Sequence, residues 1–199
     1  MSVESVRDKI MESALDLFSE KGYDGTSIDE IALACGMKAP NIYKYFKGKK
    51  EIFDVLNQTA AESYKSNMRM TTAILVNLHT KEELKDFSMR QLRYTIFDER
   101  VRKFRKLFTI EQYRNDFMRA QASDYALNNI KNQYILIFSN MMENGTLPKC
   151  DPEMLAMEYC APVTLWLQLC DREPKYCDEI IEKAEKYIDF FIEKTFPTA

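Results

Sequence analysis

Between Lys38 and Lys50 the charged side chains are Lys38, Lys44, Lys47, Lys49 and Lys50, with no acid among them. Residues 1–58 as a whole carry eight basic and ten acidic groups, so this positive edge is a local concentration on a slightly acidic segment. A focused cationic stripe is what phosphate neutralisation requires. Tyr43 and Tyr45 interleave with the lysines and can donate hydroxyl hydrogen bonds to phosphate oxygens. Two amide-rich helix starts, near Thr26-Ser27 and Lys49-Lys50, offer further anion sites. For five lysines alone a solvated charged face is the alternative. The helical spacing described below favours DNA.

Other chemistries find little material. The five glycines, Gly22, Gly25, Gly36, Gly48 and Gly145, fit neither G-x-G-x-x-G nor G-x-x-x-x-G-K-[ST], so no glycine loop cradles a phosphate. Five cysteines without a C-x-x-C pair and a single histidine, His79, make no metal set. The thiols read as small apolar core groups. A hydrolase triad would need His79 as its base, and no G-x-S-x-G accompanies it. We therefore expect no enzyme, no metal and no cofactor. The sequence has 199 residues and a net charge of −3, enough chain to bury a real core, and no run of eighteen apolar residues. Its start lacks a signal-peptide core, which leads us to expect a soluble cytoplasmic protein.

The elements that must hold the lysine edge are helical. Val6, Ile10, Ala14, Leu17 and Phe18 recur at helical spacing, and Lys21-Gly22 supplies a basic last turn and a glycine cap. Ser27 and Glu30 form an S-x-x-E capping box that opens a second helix burying Ile28, Ile31, Ala32 and Cys35. After Gly36, Pro40 is tolerated in the first turn of a third helix running to about Phe46. A long fourth helix opens at Lys49 or Lys50. Later helices are expected near 81–97, 101–113, 116–143, 151–171 and 176–196, with Pro162 kinking the penultimate one. Short helices divided by glycine turns have the layout of a helix-turn-helix unit. The expectation is an all-α chain: a helix-turn-helix domain over 1–48 and a larger helical domain over 49–199, joined through the fourth helix.

Ala14-Leu15-Asp16-Leu17-Phe18, Gly22-Tyr23, Thr26-Ser27, Ile31-Ala32, Ala34-Cys35-Gly36-Met37, Ile42-Tyr43-Lys44-Tyr45-Phe46 and Lys49-Lys50-Glu51 resemble the TetR/AcrR family of bacterial transcriptional regulators. The resemblance covers roughly the first quarter of the chain, without gaps. It implies that the third helix lies in the major groove. Lys38, Ala39, Pro40, Asn41 and Lys44 would then face base edges, while Thr26, Ser27, Tyr43, Tyr45, Lys49 and Lys50 would meet phosphates. Lysine can donate to guanine and asparagine can pair with adenine, which singles out Lys38 and Asn41 for sequence reading. Lys38 stands where the family often has a capping serine, and Pro40 replaces a small residue. Ile31, Ala32, Met37, Ile42 and Phe46 read as the core of the three-helix unit.

Beyond residue 58 the chain carries 20 basic and 21 acidic groups and has no bulk attraction to nucleic acid. The terminal helices hold more apolar surface than one subunit needs, notably Leu165, Trp166, Leu169, Ile180, Ala184, Tyr187, Ile188 and Phe191. The resemblance implies a homodimer through these helices, and a two-fold dimer reads a palindromic operator in double-stranded DNA. It also implies an effector pocket among the middle helices, for which Tyr64, Met68, Phe97, Phe104, Phe108, Tyr134, Phe138 and Trp166 are candidates. The reading is a repressor released from its operator by a small apolar or aromatic ligand. The alternative is a DNA-binding regulator without an effector, controlled by a protein partner or by its abundance.

Overall fold

The computed structural model describes residues 5–67, 75, 77–114, 116–123 and 128–197. Every regular element among them is helical. No helix among the described residues is long and apolar enough to cross a membrane. The helices gather into two compact units, residues 1–64 with 99–122 and residues 65–98 with 123–199.

The first unit contains α1 (Val6–Lys21), α2 (Ile28–Ala34), α3 (Ala39–Ile42), the bulk of α4 (Lys49–Asn67), α6 (Glu99–Glu111) and most of α7 (Asp116–Ser123). Ser5 and Ser27 close capping boxes with Asp8 and Glu30, so both first turns have their orphan amides satisfied. Apolar side chains from α1, α2 and α4 meet over Phe18 and Phe53, both fully buried. α6 adds Phe104, Leu107 and Phe108 to that core, and Phe53 meets Phe108 edge to face at 6.4 Å. The three short helices of the lysine module therefore share their core with a helix about fifty residues beyond the expected boundary at 48. Charge patterning holds the same pair of helices from outside, through Arg100 to Glu12 and Lys103 to Asp16.

One turn in this unit decides much of its geometry. Gly22 takes φ +82°, which L side chains rarely adopt, and a Cβ there would stand 2.1 Å from Glu111 Oε1. The space that glycine leaves is filled by the Glu111 carboxylate, fully buried at the end of α6. Its Oε1 accepts from the Tyr23 backbone N–H at 2.9 Å and from Arg114 at 3.1 Å.

The second unit packs α5 (Lys81–Phe97), α8 (Asn129–Glu143), α9 (Pro152–Arg172) and α10 (Cys177–Thr195), with a short 3-10 turn at Pro174–Tyr176 before α10. The expected helix over 116–143 is α7 and α8, and residues 124–127 between them lie outside the described set. An aromatic cluster of Tyr134, Phe138, Tyr159 and Phe191 fills the centre. Lys85 on α5 pairs with Glu185 and Asp189 on α10. His79, the expected odd one out, is exposed: its ring meets Asn144 at 2.7 Å and its carbonyl accepts from Thr146 Oγ1, tying the start of α5 to the turn after α8.

α9 continues through Pro162 as one helix. Proline has no N–H, so the Glu158 carbonyl four residues earlier loses its helical donor. Tyr187 on α10 supplies the replacement, donating its hydroxyl to Glu158 O at 2.8 Å. The helix interruption is thus satisfied from a neighbouring element.

A candidate DNA-facing edge and a candidate ligand cavity

Lys38 caps α3 in extended conformation and makes no side-chain cap bond, as its type dictates; Pro40 sits in the first turn. α3 is shorter than expected. It is α-helical only over Ala39–Ile42, and the chain then tightens into turns in which Lys44 N donates to Asn41 O and Tyr45 N to Ile42 O. Ile42 and Phe46, four apart and joined by a bond from Phe46 N to Ile42 O at 3.0 Å, are both buried, so their common face is the one turned to the core. Tyr43 and Tyr45, which could not share one face of a regular helix, consequently both remain exposed, at 58% and 40%. Lys38, Pro40 and Lys44 are exposed beside them, and Ala39 and Asn41 are half-buried. Ile31, Ala32, Ile42 and Phe46 are core, as the sequence suggests.

The expected phosphate contacts divide. Thr26 is a correction: its side chain is 2% exposed and donates to Gly22 O at 2.8 Å, so its hydroxyl builds the turn instead of facing solvent. Lys49 is another. Its ammonium donates to Tyr23 O at 2.6 Å and Thr26 O at 2.9 Å and lies 4.4 Å from the centre of the Tyr23 ring. It staples the α1–α2 turn, leaving one of its three donors. Ser27 is exposed, but its hydroxyl and its amide are both engaged with the Glu30 carboxylate. That carboxyl is held down to about 2, first by the Lys21 ammonium and then by the Ser27 amide and hydroxyl. Lys50 is exposed and pairs with Asp54 one turn on. The outward-facing set is therefore Lys38, Pro40, Tyr43, Lys44 and Tyr45, with Asn41 at its edge.

In the second unit a cavity of about 30 Å³ lies among α5, α8, α9 and α10. Of the eight aromatic and Met candidates, Tyr134 and Trp166 line it. Phe138 is fully buried behind it, stacked on Phe191. Phe104 and Phe108 belong to the core of the first unit, and Phe97 is 48% exposed, so these three are corrections. Met68 and the side chain of Tyr64 lie outside the described residues. The reading from sequence missed Ser88, Gln91, Tyr159, Cys160 and Tyr187 as lining. A signal for three polar members existed: Ser88, Gln91 and Thr95 recur at three-to-four spacing on the apolar face of α5. The Tyr134 hydroxyl lies 2.9 Å from both Ser88 Oγ and Gln91 Oε1, its one proton shared between these two acceptors, and Tyr159 donates to Ser88.

The expected dimer residues also divide. Ile180, Ala184, Ile188 and Phe191 are 5% exposed or less and face inward against their own chain. Trp166 and Tyr187 are half-buried at the cavity. Leu165 and Leu169 do stay outside, at 67% and 40%. Met154 at 64% and Met157 at 53% extend the same stripe of α9 toward its start, and Phe190 on α10 is 62% exposed.

Residues 10–56 match the family model described as bacterial regulatory proteins, tetR family. Over 49 residues, a quarter of this chain, the sequence is 47% identical to IcaR of Staphylococcus aureus (strain Newman), the HTH-type negative transcriptional regulator of the biofilm operon icaADBC; the match spans 26% of that regulator's length. SmeT, the repressor of the Stenotrophomonas maltophilia multidrug efflux pump SmeDEF, has a solved structure that aligns with a TM-score of 0.70 over 98% of this chain and 93% of its own, at 19% identity. The SmeT–triclosan complex aligns at 0.75 over the same shares, at 16% identity. At such identities these structures speak for the fold, which extends over nearly the whole chain. Over residues 10–56 the chain is thus similar to the tetR family of bacterial regulatory proteins, and the fold shared with these structures continues beyond that segment.

Proposed function

We propose that the protein is a homodimeric transcriptional repressor that reads a palindromic operator through α3 and is released by a small ligand held in the second unit. One observation carries the reading: besides Pro40, the exposed residues of the α3 segment are Lys38, Tyr43, Lys44 and Tyr45, cationic and hydroxyl donors beside the helix start, on a segment 1–58 that carries ten acidic groups against eight basic ones. Lys38 and Asn41 address base edges; Lys44 serves either a base or a phosphate, and Tyr43 and Tyr45 donate to phosphates. A second copy covers the stripe of Met154, Met157, Leu165 and Leu169 with Phe190, apolar surface that the subunit leaves open. That IcaR is a negative regulator and that SmeT has been solved with triclosan bound support repression and a ligand.

Selection of bound sequences from random DNA at two salt concentrations tests this. The expected result is a palindrome whose affinity falls steeply with salt. Lys38→Ala, Lys44→Ala and Tyr43→Phe should each weaken it, the lysine changes by about tenfold, a loss on the order of 1–3 kcal/mol per specific contact. Unchanged affinity in the triple variant would sink the assignment.

A further inference from the structure

The cavity among α5, α8, α9 and α10 has a definite chemical character. None of the described side chains that line it carries a formal charge. Burial keeps its acidic groups protonated, lifting the Cys160 thiol and the Tyr187 hydroxyl to about 12 and raising Tyr159 as well. A carboxylate or an ammonium brought here would shed its hydration and meet no opposite charge, whereas a neutral molecule escapes that penalty.

Along one wall the hydroxyls form a chain. Tyr159 Oη donates to Ser88 Oγ at 2.7 Å, and Tyr134 Oη donates to the same oxygen at 2.9 Å. Tyr159, having given its proton to Ser88, keeps lone pairs with which to accept from an incoming hydroxyl. The lining also carries an aromatic pair: Trp166 and Tyr187 meet edge to face with centroids 5.6 Å apart, and the Tyr187 ring lies 6.3 Å from that of Tyr159. As it stands the cavity of about 30 Å³ holds water and nothing larger. Its rim side chains Ile130, Val163 and Trp166 are only half-buried, so a ring can enter by displacing them rather than the core.

We infer that this cavity takes a small uncharged aromatic alcohol, its ring against Trp166 and Tyr187 and its hydroxyl joined to the Tyr159–Ser88 chain. The inference rests on the ligand-responsive reading above and narrows its effector to one neutral class.

Trp166 is the sole tryptophan of the chain, so its fluorescence reports this cavity directly. Full-length protein is titrated with phenol, benzoate, benzylammonium and cyclohexanol. Phenol should give a saturable change, and the other three should bind at least about tenfold more weakly. Tyr159→Phe and Ser88→Ala should each weaken phenol about fivefold, the worth of one hydrogen bond, and leave toluene unchanged. Charged probes or cyclohexanol binding as tightly as phenol, or no saturable response to phenol, overturns the inference. Because the probe comparison uses the unaltered protein, a variant that fails to fold leaves the outcome decided. Operator DNA in the same samples separates the two readings: phenol that binds without releasing DNA supports the site and overturns ligand-responsive repression.

Discussion

A lysine in a basic stripe has two destinations, outward to a phosphate or inward to a carbonyl, and this module contains both. Lys38 and Lys44 point to solvent, while Lys49 gives two of its donors to the α1–α2 turn. The distinction is measurable. Lys44→Ala should lower the slope of log affinity against log salt by about 1 if it meets a phosphate. Lys49→Ala should leave that slope unchanged and instead cost roughly 1–3 kcal/mol of stability, since hydrogen bonds from a charged donor are lost and two carbonyls are left open. Thermal unfolding beside salt-dependent binding distinguishes them. A lowered slope in Lys49→Ala with unchanged unfolding would return Lys49 to the phosphate contacts. Glycine-22 makes the same point from the other side: a motif position that looks like a helix stop is also the space for a carboxylate from residue 111.

Among the elements, α9 carries the most informative irregularity. Proline in a helix usually leaves a carbonyl without a donor, and here the Tyr187 hydroxyl takes that carbonyl over. A double-mutant cycle follows. Tyr187→Phe alone should cost about 1 kcal/mol. In a Pro162→Ala background the restored N–H can serve Glu158, and the same change should cost clearly less, giving a coupling of roughly 0.5–1 kcal/mol by chemical denaturation. Additive effects would mean that the hydroxyl does not stand in for the missing donor. α3 makes the complementary case, a helix of a single turn whose last residue, Ile42, is buried together with Phe46 four residues on.

For the whole molecule the proposed assembly rests on the exposed stripe of α9. Four large apolar side chains on one stripe of α9, 40% to 67% exposed, together with Phe190 on α10 at 62%, are more than a monomer ordinarily leaves to water. Leu165→Glu should convert the dimer to monomer in sedimentation velocity without lowering helix content, and operator affinity should fall by at least about tenfold because both half-sites must be held at once. A dimer that survives this change would move the interface elsewhere.

The all-helical class, the helix boundaries near Lys21, Lys49, Lys81 and Phe97, the Ser27–Glu30 capping box and the lysine edge are all written in local spacing, since a cap or an amphipathic stripe depends on residues three or four apart. The tetR resemblance of the first quarter was legible for the same reason. What spacing could not decide is which partner a side chain meets across the fold. Periodicity gives Ile180, Ala184 and Phe191 one apolar stripe, and only packing turns that stripe inward and leaves Leu165 and Phe190 outside. It gives Phe104 and Phe108 the look of a pocket, and only α6 lying in the first unit makes them core. Lys49 and Glu111 are charged residues in sequence and become turn fasteners because the chain returns from afar to meet them.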